Sequence, residues 1–296
     1  MTTATLQPLD APASRSFWGD AWRRFRRNPL AVGGLIYVVL MLLLCFLGPL
    51  IHGQDPTQGD LALGFRAPGE DGFILGTDKQ GRDLLARILA GGQVSLEVGL
   101  LATAVAVGIG ATYGATSALL GGRADRVMMR LVDMLYAMPF IVFVLLLMVL
   151  FERQFWLIFV AIGAVEWLTL ARIVRGQVLS LKERAFVQAA RACGQSLRGI
   201  LLRHLLPNSL GIIIVYTTLT IPAVMLLEAF ISFLGFGVQA PDTSWGALIQ
   251  DGQKHMEDYP WLLLYPSLFF STTLFALNFL GDGLRDAFDP RRGEGS

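Results

Sequence analysis

Six stretches of this 296-residue chain are long and apolar enough to cross a bilayer, and no other feature restricts the fold as severely. A spanning helix needs about 20 mostly apolar residues, because each adds 1.5 Å of rise and hydrocarbon leaves no backbone polar group unpaired. Residues 30–51, 98–120 and 261–280 meet this requirement without a charged residue. Residues 131–150, 155–171 and 209–236 meet it with one acid each, Asp133, Glu166 and Glu228. The expected fold is therefore an all-α membrane protein with six transmembrane helices. Its composition agrees: 16% charged residues is well short of the roughly 25% that covers a water-soluble globule.

Lysine and arginine set the orientation, since cytoplasmic loops carry the excess. With the N-terminus inside, the segments 1–29, 121–130, 172–208 and 281–296 are cytoplasmic and hold 18 of the 24 basic residues. The segments 52–97 and 237–260 are then extracytoplasmic, and both termini lie in the cytoplasm. Residues 151–154 leave room only for a tight turn between the third and fourth spans. The first run exceeds the 7–15 residues of a secretory signal and lacks a cleavage site, so it is read as a span that stays attached.

Several function classes fall away. A net charge of +1 and three lysines do not make the dense basic face that nucleic acid requires. His52, His204 and His255 have no partners at metal-ligand spacing, and the 242–258 stretch lacks the alternating acids of a calcium loop, so no metal site is expected. Ser232, Ser267 and Ser271 have no base within helical reach, which argues against a membrane protease. No Gly-Lys pair occurs, so no phosphate-cradling loop for ATP is present. Neither catalysis nor a bound cofactor is expected.

Two polar segments are patterned. In the outer one, Leu84, Leu85, Ile88 and Leu89 mark a helix face that Gly91-Gly92 is expected to end. Asp78 is expected to cap that helix, which would either lie on the outer membrane surface or serve as a plain packed connector. In the inner one, Arg184, Gln188, Arg191, Gln195 and Arg198 form a polar stripe at alternating spacings of four and three. Phe186, Ala189, Ala190, Cys193, Leu197 and Leu201 form the apolar stripe opposite, Gly194 interrupts it, and Pro207-Asn208 is expected to end it. Such a surface suits either a protein partner or anionic lipid.

Gln188-Ala189-Ala190, three residues, Gly194, nine residues and His204-Leu205-Leu206-Pro207 together resemble the EAA loop of bacterial ABC-importer membrane subunits. Gln188 stands where that pattern has Glu, and His204 where it has Ile. Further segments are similar to the peptide and nickel importer branch, most closely the oligopeptide C-type permeases. These are Leu75 to Asp83, Arg172 to Gln177, Glu228 to Gly237, Ser244 to Leu248 and Gly281 to Pro290.

The resemblance implies a type I permease fold and a place in the bacterial inner membrane. It implies a non-identical permease partner, two cytoplasmic ATPase subunits that hold ATP and magnesium, and an extracytoplasmic peptide-binding protein. Arg184, Gln188, Ala189, Ala190, Arg191, Gly194 and Pro207 would couple the chain to the ATPases, and Thr77, Asp78, Arg82 and Asp83 would dock the binding protein. Dipeptides or nickel chelates are the alternative cargo within the branch. A self-sufficient secondary transporter is the alternative outside it, although no inverted repeat is found.

An ionised group at membrane depth costs roughly 2.5 to 3.5 kcal/mol, which marks each buried acid as a functional candidate. Asp133 is close to the cytoplasmic end and to Arg130, and is expected to snorkel or pair there. Glu166 and Glu228 are the candidates for the translocation path. Gly110 and Gly114 form a close-packing pair, and Pro139, Pro222 and Pro266 are expected to kink three spans. Trp245 is expected to anchor at the headgroup level.

Overall fold

A computed structural model describes residues 17–139, 142, 144, 146, 149–150 and 155–288. Among them the regular structure is helical. Helix α1 (Phe17–Arg27) is followed by α2 (Pro29–His52), and Asn28 starts the latter by accepting from the Leu30 and Ala31 amides at 3.1 and 3.2 Å. Pro29 fits there because the first helical turn leaves its amides without carbonyl partners. Residues Ala31, Gly34, Val38, Met41 and Cys45 recur every three or four positions and form the buried face of α2. Ile36, Leu43, Leu50 and Ile51 point away from the protein interior.

Helix α3 (Leu84–Leu120) is the axis of the bundle. Its 37 residues reach about 55 Å, well beyond the hydrocarbon thickness. Two expectations change here. Gly91 and Gly92 do not end a surface helix; they are buried inside α3, where Ser244 and Leu248 pack on Gly91 and Trp245 and Cys45 on Gly92. The cap is Asp83 rather than Asp78, with Oδ1 accepting from the Leu85 and Ala86 amides at 2.7 and 3.3 Å. The cause is burial: Leu84, Ile88 and Leu89 are covered by the rest of the fold, so this turn is core rather than interface.

Helix α4 (Gly122–Tyr136) ends inside the expected third span, just before Pro139. The continuous 131–150 span is therefore corrected at its start, and the 151–154 turn lies outside the described residues. Helix α5 (Phe155–Lys182) carries the fourth run three turns beyond Ala171. Short helices α6 (Ala185–Ala192) and α7 (Leu197–Ile200) follow. A π turn (Leu201–Leu205) then leads straight into α8 (Leu206–Phe233). Pro207 therefore begins α8 instead of ending the preceding helix. It lacks an amide proton, and the widened turn before it absorbs the missing bond.

Helices α9 (Trp245–Lys254) and α10 (Trp261–Phe288) complete the chain. Among the described residues, four helical stretches are long and apolar enough to cross a membrane: Pro29–His52, Leu84–Leu120, Leu197–Phe233 and Trp261–Phe288. Helix α5 packs along α3, where Gly114 is pressed against α5 so closely that a Cβ there would lie 2.2 Å from the Ala171 carbonyl oxygen. Only a side chain of hydrogen permits that approach.

Candidate functional site

The end of the bundle where α3 and α5 meet α4 is assembled from the root outward. Asp125 of α4 accepts from Ser117 Oγ of α3 at 2.6 Å, and from Nε and Nη2 of Arg175 of α5 at 2.6 Å each. This fork joins three helices, and the Arg175 hydrogen bonds hold the Asp125 carboxyl below the usual carboxylate range. One turn further, Lys182 Nζ donates to the Ala118 and Leu119 carbonyls at 3.0 and 3.2 Å, placing a cation on the negative end of α3. None of these three partnerships is legible in the sequence, because the partners lie on different helices and up to 64 residues apart.

From this root the chain turns into α6. Val187 and Ala190 are buried against Val174, Val178, Ile200 and Leu205, which fixes α6 and α7 to the bundle. The apolar stripe drawn from the sequence divides: Ala190 faces inward, while Phe186, Ala189, Cys193 and Leu197 are exposed. Those four leave an outward apolar strip of exposed side chains that runs from α6 through its C-terminal cap, Cys193, to the first residue of α7. Arg184, Gln188, Arg191, Gln195 and Arg198 flank it, all exposed. They do not lie on one helix, since α6 stops at Ala192 and Gly194 turns the chain with φ +73°. Gln188 Nε2 donates to the Glu183 carbonyl at 3.2 Å, a bond that a glutamate at this position could not donate. His204 Nε2 and Gln195 Oε1, 2.9 Å apart, tie the π turn back to the loop.

At the outer end the four residues assigned to docking are committed inside the chain. Thr77 is fully buried; its Oγ1 donates to the Gly64 carbonyl and accepts from the Arg66 amide, both at 2.7 Å. Asp78 accepts from Arg82 Nε at 2.7 Å and stands 3.2 Å from Arg87 Nη1. Asp83 Oδ2 meets His52 Nε2 at 2.7 Å while Oδ1 caps α3. Thr77, Arg82 and Asp83 thus build the outer segment rather than offer side chains to a partner, and Lys79 and Gln80 are the exposed residues of the motif.

Trp245 is also inside, with no exposed surface, and does not anchor at the headgroup level. Its indole Nε1 donates to the Ile88 carbonyl at 2.9 Å, and its backbone amide donates to Ser95 Oγ at 3.2 Å.

The acids separate clearly. Glu228 is wholly buried among α3, α8 and α9, with carboxylate oxygens accepting from Ser95 Oγ at 3.1 Å and Ser232 Oγ at 2.6 Å. It joins helices of its own chain, which replaces the expected place on a path. Glu166 is partly exposed and lines a cavity with Leu135, Tyr136, Met138, Val165 and Thr169. Asp133 pairs with Arg172 at 2.9 Å on the exposed surface, and Arg172 lies over the Tyr136 ring at 4.2 Å. Among the described residues no group of three His, Cys, Asp or Glu side chains forms a metal site.

Comparison with known proteins matches residues 104–294 to the family described as binding-protein-dependent transport system inner membrane component. Residues 16–68 match the N-terminal TM domain of oligopeptide transport permease C. An oligopeptide transport system permease protein of Escherichia coli (strain K12) is 51% identical over 278 residues, 94% of this chain and 92% of the relative. That of Haemophilus influenzae is 48% identical over 94% of this chain and 89% of the relative. A dipeptide transport system permease protein of Bacillus subtilis (strain 168) is 40% identical over 94% and 87%.

Proposed function

The chain belongs to the family of binding-protein-dependent transport system inner membrane components, and from that premise we propose that it forms half of an ATP-driven import path for oligopeptides. Its partners would be a second, non-identical permease, two ATPase subunits carrying ATP and magnesium, and an extracytoplasmic peptide-binding protein. In this arrangement the chain has six spans, both termini cytoplasmic, and the strip on α6 and α7 facing the ATPases. The cargo follows the relatives: those named for oligopeptides are 41 to 51% identical and those named for dipeptides 37 to 40%.

The observation that carries the reading is the strip itself. Phe186, Ala189, Cys193 and Leu197 are exposed on helices whose opposite face is packed into the bundle. A surface mobile enough to bend would absorb an ATPase movement, whereas this one is rooted through Val187, Ala190, Ile200 and Leu205 and transmits it. Closure of the ATPase pair would push α6 and α7 as one body with the ends of α5 and α8, and the spans would rock between two states. Glu166, on its cavity near the middle of α5, is the acid placed to meet the ammonium of a passing peptide.

The test is purification of the tagged chain from solubilised membranes. Recovery of a second permease and two ATPases, with hydrolysis stimulated by peptide-loaded binding protein, supports the reading. A homo-oligomer without ATPase activity sinks it.

A further inference from the structure

We propose that α1 is a binding site for anionic phospholipid headgroups, lying along the membrane surface with its arginines on lipid phosphates. Only Asn28 separates the end of α1 from Pro29, where the first span begins, so α1 is confined to the bilayer boundary. Its inner face is fixed: Ala21 and Phe25 are buried against Ala31 and Ala287.

The rest of the helix is graded. At about 100° per residue the order around it is Ala21, Phe25, Trp18, Trp22, Arg26, Gly19, Arg23, Arg27, Asp20, Arg24. A packed face gives way to an aromatic face and then to a cationic one. Trp18 and Trp22 are 50% and 57% exposed. Their rings are held in place, Trp18 edge-on to Phe288 at 5.6 Å and Trp22 stacked on Phe25 at 5.8 Å.

Two indoles one turn apart, held and uncovered, suit the headgroup layer, where an apolar ring and a polar N–H are both satisfied. Arg23, Arg26 and Arg27 are exposed beside them, and Asp20 is the one acid of the helix. A guanidinium fork matches phosphate in two hydrogen bonds. A net cationic face favours anionic lipid over zwitterionic lipid, by about fivefold for each arginine at the surface. The site depends on the membrane position of α2 alone and holds whatever cargo the chain carries.

The test places a bimane label at Trp22→Cys in a Cys193→Ser chain, assembled in nanodiscs of phosphatidylcholine and phosphatidylglycerol. Quenching by brominated phosphatidylglycerol is compared with quenching by brominated phosphatidylcholine at equal mole fraction. Preferential quenching by the anionic lipid is expected, falling at high salt, lost in R23Q/R26Q/R27Q and kept in R23K/R26K/R27K. Retained quenching by total brominated lipid in the glutamine variant shows that the helix is still seated. Equal quenching by the two lipids, a preference unchanged in the glutamine variant, or no quenching at all would each overturn the proposal.

Discussion

The indole nitrogen of Trp245 donates to the carbonyl oxygen of Ile88 across 2.9 Å, and this bond fastens the outer helix α9 to the first turns of the central helix α3. The ring fills the space left by Gly92 and meets Phe270 edge-on at 6.2 Å, so it supplies packing as well as polarity. The two contributions separate by substitution. Trp245→Phe should cost about 1 kcal/mol for the lost hydrogen bond. Trp245→Ala should cost about 3 to 5 kcal/mol through the cavity it opens. Thermal unfolding midpoints of the detergent-solubilised variants check the order; equal losses would mean that the bond, and not the ring, holds α9.

Helix α3 carries neighbouring glycines with opposite surroundings. A Cβ at Gly114 would meet Ala171 backbone, while one at Gly108 would meet nothing within 4 Å. Gly114→Leu should separate α3 from α5 and yield little monodisperse protein. Gly108→Ala should be neutral or slightly stabilising, because alanine loses less freedom in a helix. Size-exclusion profiles of the two variants decide the matter, and a well-behaved Gly114→Leu would refute the close approach.

The first span is legible because hydrocarbon imposes one requirement that a sequence answers directly, and the expected 30–51 matches Pro29–His52 to within one residue at each end. Residues 84–92 were not legible as the start of α3. Their apolar spacing reports a covered face without saying whether lipid or protein covers it, and Trp245 lies about 150 residues away in the chain. Asp78 and Asp83 were confused for a similar reason: both are acids before a helix, and only His52 and Arg87 decide which one caps it. In the 172–208 loop the period is legible but its inner side is not: Val187, absent from the expected apolar stripe, is buried, whereas Phe186 and Leu197, expected on it with Ala190, are exposed.

Asp125 and Arg175 predict an acid limb in stability. The folded carboxyl titrates below its ordinary value, so its contribution is complete above the unfolded value, near pH 4, and is lost as pH falls through the lower folded value. Unfolding midpoints should therefore be insensitive to this pair between pH 5 and 8 and drop below about pH 4. Asp125→Asn should be less stable at neutral pH and lack that part of the acid drop. A parallel pH profile for the two proteins would exclude the ion pair as its source.

Glu166 and Glu228 should part in function as they do in place. Glu166→Gln removes a charge from a cavity wall and should lower peptide uptake while leaving the unfolding midpoint within about 0.5 kcal/mol of the parent. Glu228→Ala strands the hydroxyls of Ser95 and Ser232 in the interior and should cost about 1 to 3 kcal/mol in stability. Uptake in vesicles, normalised to folded protein, distinguishes them. Full uptake with Glu166→Gln would remove this side chain from the proposed path.

The coupling strip makes the sharpest contrast, because residues two apart on one helix should fail in different ways. Ala189 is exposed and Val187 is fully buried. Ala189→Glu places a carboxylate where water already reaches, so the chain should insert, assemble its bundle and melt as the parent does. In the complex the same carboxylate would be driven into an apolar cleft without a partner, a burial that proteins avoid at several kcal/mol. Uptake and peptide-stimulated ATP hydrolysis should therefore fall by at least about 100-fold. Val187→Glu should fail earlier, with poor accumulation in the membrane. Normal uptake by a folded Ala189→Glu protein would show that the ATPases engage some other face of the chain.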